Sequence, residues 1–226
     1  MKKFILSALM CTLAVATYAA TFVHPGWKCT DVSKLDTMYA IAKEAKDFNN
    51  ASIMACLKKF AEVGVPTTFD AYKKLIEDAV DVTAKDMGIT DAKQITDEKT
   101  RCVVQSAYCR SEFTIEAYQF CLKEIKNGDI WCKRYTIHFV LYRDIEITAN
   151  DKYTIIKNWC MEFDEINLNK QAIDAMVAVS NFTDIDDATL KADFKKLNRK
   201  YSAKLIENKE KYEPIVAKIR TILETL

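Results

Sequence analysis

Glycine and proline are scarce in this chain, which has four glycines and three prolines in 226 residues. An all-β protein needs many tight turns and draws on glycine to make them, so the scarcity excludes that class. Histidine is scarcer still, with only His24 and His138. No CxxC or CxxH spacing occurs, which removes the usual structural zinc patterns. A cysteine paired with His138 is the only pairing that suggests nucleophilic catalysis, and in a chain with so many other cysteines a structural thiol is the better account. No EF-hand spacing is present. The chain therefore reads as a non-enzyme without metal or cofactor. No charge of one sign prevails either: the net charge is +1, and −1 without Lys2 and Lys3, which argues against a nucleic-acid partner. After residue 20 no long apolar run follows, so no transmembrane segment is expected and the mature chain should be soluble.

What is present begins with MKKFILSALMCTLAVATYAA at residues 1–20. Lys2 and Lys3 form a positive start, Phe4 to Val15 an apolar stretch too short to span a bilayer, and Thr17-Tyr18-Ala19 a small-residue cleavage site. This is the pattern of a secretory signal peptide, cut after Ala19 or Ala20. Cys11 lacks the small neighbour that a lipoprotein signal requires and leaves with the segment. Seven cysteines remain: 29, 56, 102, 109, 121, 132 and 160. A secreted chain keeps its cysteines oxidised, and an odd number leaves one over, buried or joining two copies in a disulfide-linked dimer.

The apolar spacing is helical throughout. Leu35, Met38, Ala42 and Ala45 recur at three or four, as do Ile53, Cys56, Leu57 and Phe60. Phe69, Tyr72, Ile76, Ala79, Val80 and Thr83 continue the pattern behind a cap at Thr67-Thr68. Tyr118, Cys121, Leu122 and Ile125 form a further face, and so do Tyr153, Ile156, Cys160 and Phe163. Gly64, Gly88 and Gly128 each stand where a helix should close. The stretch Tyr135 to Ile147 has the β-branched and aromatic content of a strand. With no partner strand in view, it reads as a helix whose inward face is Trp131, Tyr135, His138, Tyr142 and Ile145. Leu190, Phe194, Leu197, Tyr201 and Leu205 make a narrow stripe under a lysine-rich face, best read as solvated. Pro214 is expected to break or kink that helix. The expected fold is all-α: a disulfide-stapled array of about seven to nine helices, with an N-terminal helical domain over 21–128 and a C-terminal helical region over 129–226.

Cys102 and Cys109 lie seven apart. On one helix, two turns separate their backbones by about 10 Å, beyond the reach of a disulfide. Each must pair with another segment, and Cys121, Cys132 and Cys160 are the natural partners. Each bridge adds about 2–4 kcal/mol.

The order Cys29, Cys56, Cys102, Cys109, Cys121, with the segments SIMACLKKF around Cys56 and EAYQFC ending at Cys121, resembles the insect odorant-binding proteins and the related salivary D7 proteins. Those are secreted helical domains stapled by six cysteines around an apolar ligand pocket. Serine stands at position 52, where the family's second cysteine belongs, and the last two spacings differ from the usual ones. The match covers only residues 29–126. The resemblance implies bridges Cys29–Cys56 and Cys102–Cys121, and it leaves Cys109 to Cys132 or Cys160.

Asn50-Ala51-Ser52 and Asn181-Phe182-Thr183 fit the N-glycosylation pattern in a eukaryotic source. Asp184 to Asp187 reads as a helix start rather than a carboxylate site. Trp131, Tyr135, His138 and Tyr142 combine apolar walls with polar tips and are the candidate ligand-binding group, set against plain core packing. The functional expectation is a secreted protein that sequesters a small hydrophobic or amphipathic ligand in an inter-helix pocket. The alternative is a secreted interaction or effector protein, such as a salivary factor, that engages a host or cell-surface protein.

Overall fold

A computed structural model describes residues 24–125 and 128–226. The signal-like segment 1–20 lies outside the described residues. Within them the chain is all-helical, with ten α-helices and no strand. No described helix is long and apolar enough to cross a membrane. The chain forms two compact units, one up to Tyr135 and one from Thr136.

The first unit contains α1 (Val32–Glu44), α2 (Phe48–Val63), α3 (Phe69–Met87), α4 (Ala92–Arg110), α5 (Thr114–Ile125) and the start of α6 (Ile130–Tyr142). Short polar side chains start these helices by accepting orphan backbone N–H groups. Asp31 accepts from Lys34, Asp47 from Asn50, and Thr68 from Ala71. Gly88 closes α3 at φ 69°, a left-handed conformation that costs glycine little. Helix α2 packs on α1, α3 and α4; α3 also packs on α4, and α4 on α5. Their inward stripes bury Leu35 and Met38, Met54 and Leu57, Tyr72 and Ile76, and Val103 and Val104. Burial of this apolar surface drives the assembly. Polar bonds set its register: the Tyr72 hydroxyl donates to Ser106 Oγ at 2.8 Å between α3 and α4.

The second unit contains the rest of α6, then α7 (Ala149–Glu162), α8 (Ile166–Ser180), α9 (Asp187–Ala203) and α10 (Lys209–Thr225). Helix α7 packs on α8 and α9, α9 on α10, and α10 on α8. Asp186 caps α9 by accepting from Thr189 N–H at 2.6 Å, so the acidic run at 184–187 does start a helix. Pro214 does not break the chain where expected. The break falls earlier, in a 3₁₀ turn at Lys204–Ile206, and the Asn208 side chain then accepts from Lys211 N–H to begin α10. Pro214 lies inside α10, close enough to its start that only one ladder bond is lost.

The stretch Tyr135 to Ile147 is helical only to Tyr142. The buried side of α6 carries Cys132, Thr136, Ile137, Phe139 and Val140. The expected inward face is the half-exposed one, and Tyr142 on it is exposed. Apolar residues occur on all sides of this helix, so their period does not single out one face.

Candidate functional site

The start of α4 shapes the most distinctive site. Its first ten residues, AKQITDEKTR, carry no apolar stripe, yet they bury two charges. Glu98 and Arg101 are 4 % and 6 % exposed. Arg101 grips the Glu98 carboxylate with two nitrogens, Nε at 2.7 Å and Nη2 closer still. Its remaining donors reach Gln105 Oε1 at 2.6 Å and the Asn49 carbonyl at 3.0 Å. Burial works against the guanidinium charge, but the Glu98 hydrogen bonds outweigh it and raise the pKa of Arg101. A buried ion pair persists only when its spare donors are satisfied in this way. The pair also touches a thiol, since Cys102 Sγ lies 3.3 Å from Glu98 Oε1.

Above this pair opens a cleft of about 250 Å³ walled by Trp131 and floored by Glu98. Asp91, Asp97 and Lys93 share its rim with the amides of Asn49 and Gln94. Asp91 caps α4 through Lys93 N–H at 2.9 Å and Gln94 N–H at 3.2 Å, and Asp97 pairs with Lys93 one turn away. Three carboxylates line the cleft, two of them in ion pairs: Glu98 with Arg101 and Asp97 with Lys93. The Arg101 and Arg134 guanidinium carbons stand 5.9 and 5.8 Å from the Trp131 ring centre, within cation–π range.

A second cleft of about 380 Å³ lies between the start of α3 and α5, lined by Phe69 and Phe120 with Asp70, Glu116 and Lys123 at its edge. The two phenylalanine rings are 6.0 Å apart.

Of the four aromatic residues expected to form one ligand site, Trp131 lines a described cleft. Tyr135 stacks obliquely on Tyr108 at 5.7 Å in the first unit. His138 and Tyr142 belong to the second unit and face each other at 5.8 Å. The other cleft residues escaped sequence reading because each resembled a cap or a surface i,i+4 pair. The one available sign was a helix segment with no apolar stripe at all.

Among the described residues no two sulfurs stand at disulfide-bonding distance. Cys102 interacts with Cys56, and Cys132 with Cys121. Cys29 is half-buried, Cys109 exposed and Cys160 buried. Burial and the Cys56 contact push the Cys102 thiol pKa up. The Cys121 contact and burial do the same for Cys132. Burial raises Cys160 to about 12.

Of the two glycosylation tripeptides, Asn181 is exposed at the end of α8. Asn50 lies in the first turn of α2, where its side-chain amide donates to Asp47 at 2.7 Å and Ser52 is buried. Among the described residues no group of three or more His, Cys, Asp or Glu is placed to hold a metal ion. Comparison with protein-family models, curated proteins and solved structures finds no match.

Proposed function

We propose that this is a secreted, non-enzymatic binding protein whose ligand is a small amphipathic cation, an amine with an apolar body, held in the Trp131 cleft. The observation that carries this reading is the pairing of an aromatic wall with three carboxylates in one concave site. The indole covers the apolar part and attracts the cation through its ring face. Asp97 and Glu98 are held by Lys93 and Arg101, so Asp91 at the rim supplies the charge that favours a positive head group and disfavours a carboxylate. At about 250 Å³ the cleft suits a small molecule, below the usual range for drug-sized ligands. Secretion is supported by the signal-like residues 1–20 and by the cysteine content. Binding without bond chemistry matches the resemblance to odorant-binding proteins.

Isothermal titration with decylamine, decanol and decanoate tests the reading. Decylamine should bind, decanoate should not, and Trp131→Ala should weaken decylamine binding about tenfold or more, the equivalent of 1.4 kcal/mol. Equal binding of decanoate, or a Trp131→Ala variant that binds like the parent, would refute it.

A second reading, a protein partner, is favoured by the outer side of α5. Ile115 and Leu122 lie two turns apart there and are 58 % and 39 % exposed. Scattered apolar exposure of this kind is common, so the reading ranks second.

A further inference from the structure

Four of the seven cysteines form two inter-helix pairs. Cys56 on α2 and Cys102 on α4 are both fully buried, and the two helices pack directly on each other. The two thiols are hydrogen-bonding neighbours. Around them, Cys56 Sγ lies 3.9 Å from the Ile76 carbonyl oxygen, and Cys102 Sγ lies against Glu98. Cys121 on α5 and Cys132 on α6 repeat the arrangement, both buried and within hydrogen-bonding reach of each other. The Cys132 backbone N–H donates to Asp129 Oδ1 at 2.7 Å at the start of α6.

We propose that Cys56–Cys102 and Cys121–Cys132 are native disulfides of this chain, and that Cys160, one of the three cysteines outside them with Cys29 and Cys109, stays a thiol. Each bridge forms by thiol–disulfide exchange with an external disulfide, such as oxidised glutathione or an oxidoreductase. A thiolate of the pair attacks that disulfide, giving a mixed disulfide and one released thiol. The second cysteine then displaces the other external sulfur. The two protein thiols are oxidised, the external disulfide is reduced to two thiols, and the two protein protons end on those thiols or in solvent. The first bridge ties α2 to α4 directly beneath the Trp131 cleft, and the second fixes α6, which carries Trp131. Cys160 has no second cysteine in its unit, which begins at Thr136, and its side chain is buried. It is therefore poorly placed to join two copies.

Use of these bridges in the cell rests on the secretion reading, but their pairing does not, and the experiment keeps the two apart. The full chain carrying Cys11→Ser is refolded in a reduced/oxidised glutathione buffer, alkylated without reduction and digested with trypsin and chymotrypsin. Chymotrypsin cuts after Tyr108 and so separates Cys102 from Cys109. Mass spectrometry should find Cys56 joined to Cys102 and Cys121 joined to Cys132. Cys160 should be alkylated only after denaturation. A Cys29–Cys56 or Cys102–Cys121 peptide would overturn the assignment, as would four alkylated thiols at positions 56, 102, 121 and 132. The correct pairs after refolding but free thiols in the protein taken from its natural compartment would overturn the secretion reading and leave the pairing standing.

Discussion

Asn169 is the polar centre of the second unit, and its removal has a cost that can be worked out bond by bond. It is 0 % exposed on α8. Its Oδ1 accepts from the Trp159 indole N–H at 2.8 Å, and its Nδ2 donates to the Phe163 carbonyl and to the Tyr201 hydroxyl oxygen, each at 2.7 Å. Asn169→Ala removes all three bonds, but the partners do not suffer equally. The Phe163 carbonyl keeps Lys200 Nζ at 2.8 Å, and the Tyr201 hydroxyl keeps its own donation to the Cys160 carbonyl at 3.0 Å. Only the Trp159 N–H is stranded in the interior. A stranded buried donor costs about 1–3 kcal/mol, and a lost bond whose partner keeps another costs about 0.5–1.5 kcal/mol at most. The expected loss is therefore about 2–6 kcal/mol. Tyr201→Phe leaves the Cys160 carbonyl with Lys200 at 2.7 Å but takes the partner of one of the two Asn169 amide hydrogens; it should cost about 1–3 kcal/mol. The two changes share the Asn169–Tyr201 bond, so the double variant should lose less than the sum, by about 0.5 kcal/mol or more. Urea unfolding followed by far-UV circular dichroism measures all three variants. Trp159, the only tryptophan after residue 135 and stacked on Phe163 at 4.1 Å, supplies a local fluorescence signal. An Asn169→Ala variant within about 0.5 kcal/mol of the parent, or strict additivity, would refute the network.

The buried ion pair on α4 makes a sharper prediction: Glu98→Ala leaves the Arg101 charge buried without its counter-ion and should cost about 3–5 kcal/mol, whereas replacing both residues by apolar ones of similar volume should cost less than Glu98→Ala alone; chemical denaturation of both variants decides. Acid should weaken the second unit through Asp164. Burial works against its carboxylate, but hydrogen bonds from Lys204 and Lys200 hold its pKa below the ordinary 3.8. Because the folded value is the lower one, this stabilisation is complete above the unfolded value and is lost as pH falls through the folded value. Asp164→Asn should therefore flatten the fall in urea midpoint between pH 5 and the acid limb; an unchanged slope would show that the two lysines do not stabilise the carboxylate.

The caps illustrate what could be read locally. Thr68 and Asp186 were recognisable as helix starts because a cap needs only a short polar side chain and the N–H two or three residues on. The cleft was hidden for the opposite reason. Asp97 with Lys93, and Glu98 with Arg101, follow spacings that on most helices mean a solvated face. Whether such a pair is buried depends on what packs above it, here the Asn49 carbonyl from α2 and the Trp131 ring from α6. Helix α6 failed as a face prediction because its thirteen residues, IWCKRYTIHFVLY, are apolar on every side.

By itself, then, the sequence determined an all-helical chain and several of its helix starts. Those depend on a 3.6-residue period and on caps within a turn, both local properties. Only the tertiary structure decided that Cys56 meets Cys102, that Cys121 meets Cys132, and that two charges at the start of α4 go inside under Trp131. Each of these joins residues on different helices. Their contact is set by how whole apolar faces pack, which no local spacing encodes.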